Sequence, residues 1–373
     1  QLRTLVKDPT RHVTHRFELP EMPFLSLRRI EVKSASESGE YVGAEIGPGG
    51  GGRWETLEDV TDTHGAAALA PTQTLTWGEF DGDGRPDAAV CDAGPDRSEL
   101  AVWGSEAGQI VYRRSLDPAA GYATIAWGRM NGDERQDLVL AGAKLGVFWA
   151  SGLDQPPMRP REVVRNQPAA PVAALALGDI SGEGISEPVC LLQNGSLQAY
   201  RTGSGPLFEL GSRHVLPDVT DPVDAGFVIM GDFITGGEPE LCVGGGPLKL
   251  LMRESDTLTP VNEAFQGTPA ARQNESWAAA ADYDGDGDLD LVAGDGKGRP
   301  LLLENDGTGS FRNATGEAAE LAAFREAVTC ATWADMNQDG LPDILLAPAS
   351  GGLQLMLNGG AEGFMNATSM VDL

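Results

Sequence analysis

The side chains best suited to chemistry in this sequence are acidic, and they lie in short glycine-rich segments that recur along the chain. Three of these segments fit the pattern [DE]-x-[DN]-x-D-G-x-x-D, in which oxygen-bearing side chains occupy alternate positions. Ca²⁺ accepts six to eight oxygen ligands in a flexible geometry, and alternating carboxylate and amide oxygens in one loop can supply them. The pattern therefore predicts calcium binding.

The predicted calcium ligands belong to three loops, which we number by their order among six related loops. In the first loop they are Glu79, Asp81, Asp83, Asp87 and the backbone carbonyl of Arg85. In the fifth loop they are Asp282, Asp284, Asp286, Asp290 and the carbonyl of Asp288. In the sixth loop they are Asp335, Asn337, Asp339, Asp343 and the carbonyl of Leu341. The sixth residue of each loop, counted from the first ligand as position one, is a glycine that lets the backbone fold around the ion. We therefore expect about three calcium sites.

The other three loops depart from the pattern to different degrees. The third loop keeps an oxygen at every ligand position and is a doubtful site, formed by Asp179, Ser181, Glu183 and Glu187. In the second loop Arg129 replaces the first ligand, and in the fourth loop Ile234 and Gly236 occupy two ligand positions. We expect no calcium in the second and fourth loops.

An EF-hand also uses alternating oxygen ligands, but it ends in a bidentate Glu at position twelve. That position holds Val90, Ala293 and Leu346 in the three complete loops. The segments on either side are patterned as strands rather than helices. The loops are therefore predicted to connect β-strands.

The loops are the most regular part of a longer repeat. The repeated segments start at Gly78, Gly128, Gly178, Gly231, Ala281 and Ala334, so the period is 50 to 53 residues. Each period holds four short apolar runs separated by Gly, Asn and Asp turns, which is typical of strands in hairpins. Four strands in a period of about 50 residues correspond to one propeller blade. The sequence therefore predicts an all-β fold, a β-propeller of four-stranded blades.

A Gly or Ala ends the first apolar run of every period. We expect this small residue to let neighbouring backbones approach each other near the propeller axis. Trp77, Trp127 and Trp333 directly precede it in three periods. We expect these tryptophans to pack between blades.

The six repeats leave the first 73 residues unassigned. We predict a seventh, degenerate blade at about 20–73, with residues 1–19 as an N-terminal extension or ring-closing strand; six blades plus a cap is the alternative. A single propeller domain then covers residues 20–373. The remaining blades are expected at about 74–122, 123–171, 172–224, 225–275, 276–327 and 328–373.

The composition excludes several classes of function. Lys and Arg number 27 against 55 Asp and Glu, and the net charge of −28 argues against nucleic acid or an anionic membrane as partner. No apolar run has the length that a membrane span needs. The sequence lacks G-x-S-x-G, HExxH and G-x-x-x-x-G-K-[ST], so no catalytic residue is predicted. The four cysteines lie in apolar surroundings without a CxxC, and we expect them to pack as small apolar residues.

The acidic loops, the W-G or W-A pair before three of them and the repeat length resemble the FG-GAP/VCBS repeat family of calcium-binding β-propellers. Integrin α-subunit head domains share the loop type. The segments LEDVTDTHG, SFRNATGEA and GFMNATS are similar to the blade ending of bacterial secreted repeat proteins related to the ASPIC/UnbV group. The likeness covers roughly residues 55–373 and implies an extracytoplasmic, calcium-stabilised propeller used for adhesion or ligand binding.

Three classes of function follow from these observations. The first is a non-catalytic extracytoplasmic module, secreted, periplasmic or on the cell surface, that binds a protein or a glycan. The second is a structural subunit of an extracytoplasmic complex, which would show a large exposed apolar patch. The third is the propeller part of a polysaccharide-active enzyme, which would show aromatic and acidic residues at one mouth of the axis.

Overall fold

The chain folds as an all-β propeller, as the repeat predicts. The computed structural model describes residues 14–16, 31–33, 74–78, 80, 86–93, 98–104, 109–131, 135–149, 159–161, 167–202, 210–216, 226–254, 257–271, 277–337 and 339–370. These residues form six antiparallel sheets of four strands and one antiparallel strand pair. The pair joins β1 (Thr14–Arg16) to β2 (Glu31–Lys33).

The six four-stranded sheets follow one another along the chain. The first consists of β3 (Thr74–Gly78), β4 (Asp87–Ala93), β5 (Ser98–Gly104) and β6 (Gln109–Leu116). The second consists of β7 (Thr124–Gly128), β8 (Asp137–Ala141), β9 (Leu145–Trp149) and β10 (Arg159–Arg161). The third consists of β11 (Val172–Gly178), β12 (Glu187–Leu192), β13 (Leu197–Thr202) and β14 (Leu210–Leu216).

The later sheets have the same composition. The fourth consists of β15 (Val228–Gly231), β16 (Glu240–Val243), β17 (Lys249–Glu254) and β18 (Thr257–Pro260). The fifth consists of β19 (Ala278–Ala281), β20 (Asp290–Asp295), β21 (Arg299–Asn305) and β22 (Phe311–Asn313). The sixth consists of β23 (Val328–Ala334), β24 (Asp343–Pro348), β25 (Gln354–Asn358) and β26 (Phe364–Asn366).

Helical structure in the described residues is short. One α-helix, α1, spans Ala319–Ala323. The 3-10 turns are Pro118–Ala120, Pro269–Ala271, Thr315–Glu317, Gly360–Glu362 and Thr368–Met370. In the described part of the chain, no helix has the length and apolar character needed to cross a membrane.

Each sheet is a simple meander, because strands that are neighbours in the sheet are also consecutive in the chain. The first strands of successive sheets lie against one another: β3 with β7, β7 with β11, β11 with β15, β15 with β19, and β19 with β23. The acidic loops join the first strand to the second in every sheet. This repeated connection places the six loops on the same face of the propeller.

The hydrophobic core lies between successive sheets rather than inside any one of them. Each of the five core clusters in the described residues combines side chains of two neighbouring sheets; Leu100 and Leu138 meet in one, and Leu191 and Leu241 in another. The second strands are buried on both faces, as in β8, β12 and β16. A strand covered on both faces needs a continuous apolar run, which explains DLVLA and ELCV.

The glycine that ends the first strand of each of the first four sheets makes room for a side chain of the next sheet. A Cβ at Gly78 would lie 2.2 Å from Cγ of Trp127, and a Cβ at Gly178 would lie 2.1 Å from Sδ of Met230. The first strands of neighbouring sheets do approach each other, and at these positions a side chain of the next sheet fills the room that the missing Cβ leaves. At Gly78 a Cβ would overlap the rigid Trp127 ring, so this position requires glycine.

Two of the three tryptophans pack between sheets as expected. Trp127 lies edge-on to Phe80 of the first sheet, with ring centroids 6.5 Å apart. Nε1 of Trp333 donates to the carbonyl of Ala279 in the fifth sheet at 3.0 Å. Trp77 is 49% exposed, so the expected packing is not seen for this residue.

The N-terminal predictions fall mostly outside the described residues. Only Glu31–Lys33 of the predicted blade at 20–73 and Thr14–Arg16 of the predicted extension are described. The count of seven blades and the domain boundaries therefore stay predictions. Among the cysteines, Cys91, Cys190 and Cys242 are buried as expected, whereas the prediction is wrong for Cys330, which is exposed.

Candidate metal centre

Every acidic loop ends in a buried carboxylate at position nine, the first residue of the second strand. These residues are Asp87, Asp137, Glu187, Glu240, Asp290 and Asp343. Each accepts a hydrogen bond from a backbone N–H near the start of its own loop. The donors are Phe80, Met130, Ser181, Phe233, Tyr283 and Met336, at distances of 2.7 to 3.2 Å. The position-nine carboxylate therefore closes the loop in all six sheets.

The fifth loop folds around the carboxylate of Asp282. Its Oδ1 accepts from the N–H groups of Gly285 at 2.8 Å and Asp286 at 3.1 Å, and its Oδ2 accepts from Gly287 at 3.0 Å. Gly287 has a φ of 98°, which side chains disfavour. Gly287 therefore has the backbone conformation for which we expected a glycine at position six.

Three predicted ligands of the fifth loop come together. Asp282, Asp284 and Asp290 each place one carboxylate oxygen within 4.8 Å of the other two. Within the described ranges of the chain, this is the one group of three His, Cys, Asp or Glu side chains that meets this distance. An all-oxygen set of three carboxylates is suited to a hard divalent cation.

The two other predicted ligands of the fifth loop lie outside that group of three. Oδ1 of Asp286 accepts from the N–H of Asp288 at 3.0 Å. Oδ1 of Asp288 accepts from Oγ1 of Thr235, in the fourth loop, at 2.7 Å. The side chain of Asp288 is therefore directed to the neighbouring sheet, which agrees with a ligand role for its carbonyl only.

Burial and mutual repulsion raise the pKa values of Asp284 and Asp290. Burial raises the pKa of Asp290 to about 7; the charges of Asp284 and Asp286 act in the same direction, and hydrogen bonds from Asn305 and Tyr283 oppose it. Burial followed by the charge of Asp286 raises the pKa of Asp284. A bound cation would lower these pKa values again, because it stabilises the ionised carboxylates.

The sixth loop repeats the arrangement of the fifth. Oδ1 and Oδ2 of Asp335 accept from the N–H groups of Asp339 at 3.1 Å and Gly340 at 2.9 Å. Asn337 lies at position three, and its Oδ1 accepts from the same Asp339 N–H at 3.0 Å. Burial raises the pKa of Asp343 to about 7. Leu341, whose carbonyl oxygen is a predicted ligand, donates its N–H to Oδ1 of Asp339 at 2.9 Å.

The doubtful third loop adopts the same backbone arrangement. Asp179 accepts from the N–H groups of Glu183 at 3.0 Å and Gly184 at 2.7 Å. Ser181 donates its N–H to Oε2 of Glu187 at 2.9 Å. The third loop therefore has the shape of the fifth loop with weaker ligands, and its role stays a prediction.

Most of the first loop lies outside the described residues. Glu79, Asp81, Asp83 and Arg85 are not among them. Asp87 is described and is buried like its counterparts. The first calcium site therefore stays a prediction.

Sequence reasoning missed two buried asparagines beside the loops. Asn305 ends β21 and Asn358 ends β25. Each donates its backbone N–H to the position-nine carboxylate of its own sheet, Asp290 at 2.8 Å and Asp343 at 2.7 Å. The available signal was an Asn that ends the third apolar run in both LLLEN and LMLN.

The comparisons with known proteins agree with this architecture. Residues 282–346, from the first ligand of the fifth loop into β24, match the FG-GAP-like repeat family model. No curated protein is significantly similar to this chain in sequence.

Solved structures are similar to this chain at low sequence identity. The BP39L lectin from Burkholderia pseudomallei is similar with a TM-score of 0.61 and 13% identity, over 94% of this chain and 99% of that chain. BBS1N, crystallised in complex with ARL6DN and soaked with mercury, has a TM-score of 0.49 and 12% identity over 77% of each chain. The consecutive four-stranded sheets make this chain a β-propeller, and its stretch at 282–346 matches the FG-GAP-like repeat.

Proposed function

We propose that this chain is a non-catalytic, calcium-binding propeller module that binds a glycan or a protein outside the cytoplasm. The observation that carries the proposal is the group of three carboxylates formed by Asp282, Asp284 and Asp290, whose oxygens lie within 4.8 Å of one another. This group belongs to the stretch that matches the FG-GAP-like repeat.

The residues present fit calcium better than other common metals. The fifth and sixth loops offer carboxylate, amide and backbone oxygens only, and none of the four histidines lies in any loop. Zn²⁺ favours Cys and His ligands, and Mg²⁺ favours rigid octahedral sites that keep several waters. Asp282, Asp284, Asp290, Asp335 and Asp343 would hold the ions. A bound ion would neutralise their repulsion and fix the connection between the first two strands.

A structural role for calcium favours an extracytoplasmic location. Extracellular modules bind calcium with dissociation constants of about 0.1 to 1 mM, and such sites fill only where calcium is abundant. Asp284 and Asp286 are exposed, as expected for loops of moderate affinity. The strongly acidic chain, with a net charge of −28, also suits a calcium-rich medium, because calcium reduces its self-repulsion.

A glycan is one ligand class that the comparisons support. The similar structure with a TM-score of 0.61 is that of a lectin, and it covers 94% of this chain. Fold likeness at 13% identity does not transfer a binding site, so the glycan is proposed as a class and not as a particular sugar. A protein ligand is the other class, because propeller faces offer broad surfaces for binding.

Thermal unfolding with and without calcium tests the metal. Calcium at a hundred times its dissociation constant would stabilise the folded chain by about 2.7 kcal/mol, and Tm should rise accordingly. Magnesium and EGTA serve as controls. Asp282→Asn together with Asp284→Asn should reduce the calcium-dependent rise, because both residues belong to the group of three carboxylates.

A matched variant distinguishes the site from general acidity. Asp232 occupies position one of the fourth loop, where Ile234 and Gly236 replace two ligands. Asp232→Asn removes an exposed acidic side chain from the same loop position and should leave the calcium effect unchanged. Equal responses of the fifth-loop and fourth-loop variants, or no calcium effect in the unmodified chain, would contradict the metal proposal.

A glycan array probed with the full chain tests the ligand class. Binding in calcium that is lost in EGTA would support a glycan-binding module. If the chain binds nothing on the array, the glycan hypothesis is rejected and a protein is the proposed ligand class. Hydrolysis of an arrayed polysaccharide would contradict the non-catalytic function.

A further inference from the structure

Asn358 reaches from the sixth sheet into the fifth loop. It ends β25, is 2% exposed, and its Nδ2 donates to the carbonyl of Tyr283 at 2.7 Å. Tyr283 lies between Asp282 and Asp284 in the chain. Asn358 therefore holds the backbone between two predicted ligands of the neighbouring sheet.

The same residue also contacts the sixth loop. Its backbone N–H donates to Oδ1 of Asp343 at 2.7 Å, and its Nδ2 donates to the carbonyl of Pro342 at 3.1 Å. Its Oδ1 accepts from the N–H of Gly360 at 3.0 Å. A buried amide with these partners loses free energy when any one of them moves away. The positions of the fifth and sixth loops therefore depend on each other.

We propose that Asn358 is a positioning residue that couples these two calcium loops, so that calcium in either loop strengthens binding in the other. The inference rests on the proposed calcium sites. An ion that fixes Asp343 also fixes Asn358, which then holds Tyr283 where the neighbouring ligands need it. Linkage requires the effect to be reciprocal.

Asn305 supplies a matched control one sheet earlier. It is also 2% exposed, donates its N–H to Asp290, and donates Nδ2 to the carbonyl of Phe233 in the fourth loop at 2.7 Å. The fourth loop lacks oxygen ligands at Ile234 and Gly236. Asn305 thus makes the same contacts as Asn358 but joins the fifth loop to a loop without a predicted ion.

A calcium titration of the full chain, followed by NMR of ¹⁵N-glycine, tests the coupling. The N–H groups of Gly287 and Gly340 donate to Asp282 and Asp335 and report the fifth and sixth loops separately. Asp335→Asn with Asp339→Asn disables the sixth loop. In the otherwise native chain, this change should weaken fifth-loop affinity at least about five-fold.

The asparagine variants then decide whether Asn358 carries the effect. With Asn358→Ala, disabling the sixth loop should change fifth-loop affinity less than about two-fold, because the link is already absent. With Asn305→Ala, the loss of about five-fold or more should persist. If Asn358→Ala does not fold, Asn358→Ser takes its place with the same expectation.

The outcomes separate this proposal from the one on which it rests. Two glycine signals that respond to calcium without mutual influence, or a loss that persists in Asn358→Ala, would overturn the coupling and leave calcium binding intact. No calcium response of either glycine would contradict both proposals. In EGTA, Asn358→Ala should also speed hydrogen exchange of the Gly285 and Gly287 amides, and unchanged exchange would count against the positioning role.

Discussion

The fourth and fifth loops connect equivalent strands, but different interactions hold their tips. In the fifth loop, Asp282 and Asp284 lie close to the buried Asp290. In the fourth loop, Ile234 and Gly236 occupy ligand positions, and Glu240 at position nine accepts from the N–H groups of Phe233 and Ile234, both at 2.9 Å. The fourth loop therefore keeps the buried acceptor at position nine but lacks the predicted ligands at the exposed positions.

The tip of the fourth loop is held by protein contacts instead. The N–H of Thr235 donates to the carbonyl of Gly307 at 3.0 Å, and Ile234 forms a β-bridge with Thr308. On the other side, Arg253 pairs with Glu238 at 2.7 Å and donates to the carbonyl of Ile180 in the third loop at 3.0 Å. The comparison teaches that position nine closes both loops, whereas the exposed positions differ: they hold carboxylates in the fifth loop, and neighbouring sheets contact the tip of the fourth.

The largest expected effect follows removal of the position-nine carboxylate from either loop. Glu240→Ala and Asp290→Ala each leave one buried and one half-buried N–H donor without an acceptor, which should cost about 4 kcal/mol in free energy of unfolding in EGTA. Only Asp290→Ala should also remove calcium-dependent stability. Urea unfolding with and without calcium measures both effects. A mild loss for Asp290→Ala in EGTA would mean that position nine serves the ion alone.

The second prediction concerns pH in the metal-free chain. The folded pKa of about 7 for Asp290 and Asp343 lies above the ordinary value of 3.8, so the folded chain keeps protons that the unfolded chain has released. Stability in EGTA should therefore fall as pH rises from about 4 to about 7 and level off above that. Burial also raises the pKa of Glu240, which adds to the same trend.

Calcium affinity should depend on pH in the opposite direction. The ion requires ionised carboxylates, so affinity should rise up to about ten-fold per pH unit below 7. Calcium titrations at pH 5.5, 6.5 and 7.5 measure the pH dependence of affinity. Urea unfolding in EGTA at the same pH values measures the pH dependence of stability in the metal-free chain. Constant affinity across this range would show that Asp290 and Asp343 are not ligands.

The third prediction tests the glycines of the two loop tips. Gly287 has a φ of 98° and Gly236 a φ of 86°, and an added Cβ meets no atom within 4 Å at either position. Alanine at either site should cost about 1 kcal/mol through backbone strain alone. Only Gly287→Ala should weaken calcium binding. Gly316→Ala, at an open position without a positive φ, is the control and should be neutral or slightly stabilising.

The smallest expected effect concerns the protein contact that holds the fourth loop. Thr235→Val removes the hydrogen bond from Oγ1 to Asp288 and should cost about 0.5 kcal/mol in EGTA. Thr257→Val, which removes a hydrogen bond to Glu254 within the fourth sheet, is the matched control. Because the contact joins two sheets, Thr235→Val should speed hydrogen exchange in the fourth loop, and Thr257→Val should not. Equal exchange in both variants would mean that this contact does not hold the tip.

The fold and the fifth loop could be predicted from the sequence because the patterns that specify them are local. Four apolar runs within a period of 50 to 53 residues predicted the four-stranded sheets. Nine consecutive residues contain Asp282, Asp284 and Asp290, so their meeting required only that the chain turn back at Gly287. A turn of this length is fixed by residue types that lie next to one another.

Other features were not accessible, because they depend on which sheet faces which. Asn305 and Asn358 bond to carbonyls 72 and 75 residues away in the chain. Gly78 is required by the Trp127 ring and not by its own strand. Cys330 lies in an apolar run yet is exposed, as is its neighbour Thr329.

The sequence by itself determined the repeat, the strand pattern and the placing of the oxygen-bearing side chains in the loops, because each arises within one turn or one period of the chain. Only the tertiary structure decided that the fourth loop is held by its neighbours and that Asn358 joins two loops. These contacts form between sheets, where packing brings together residues that no local pattern relates.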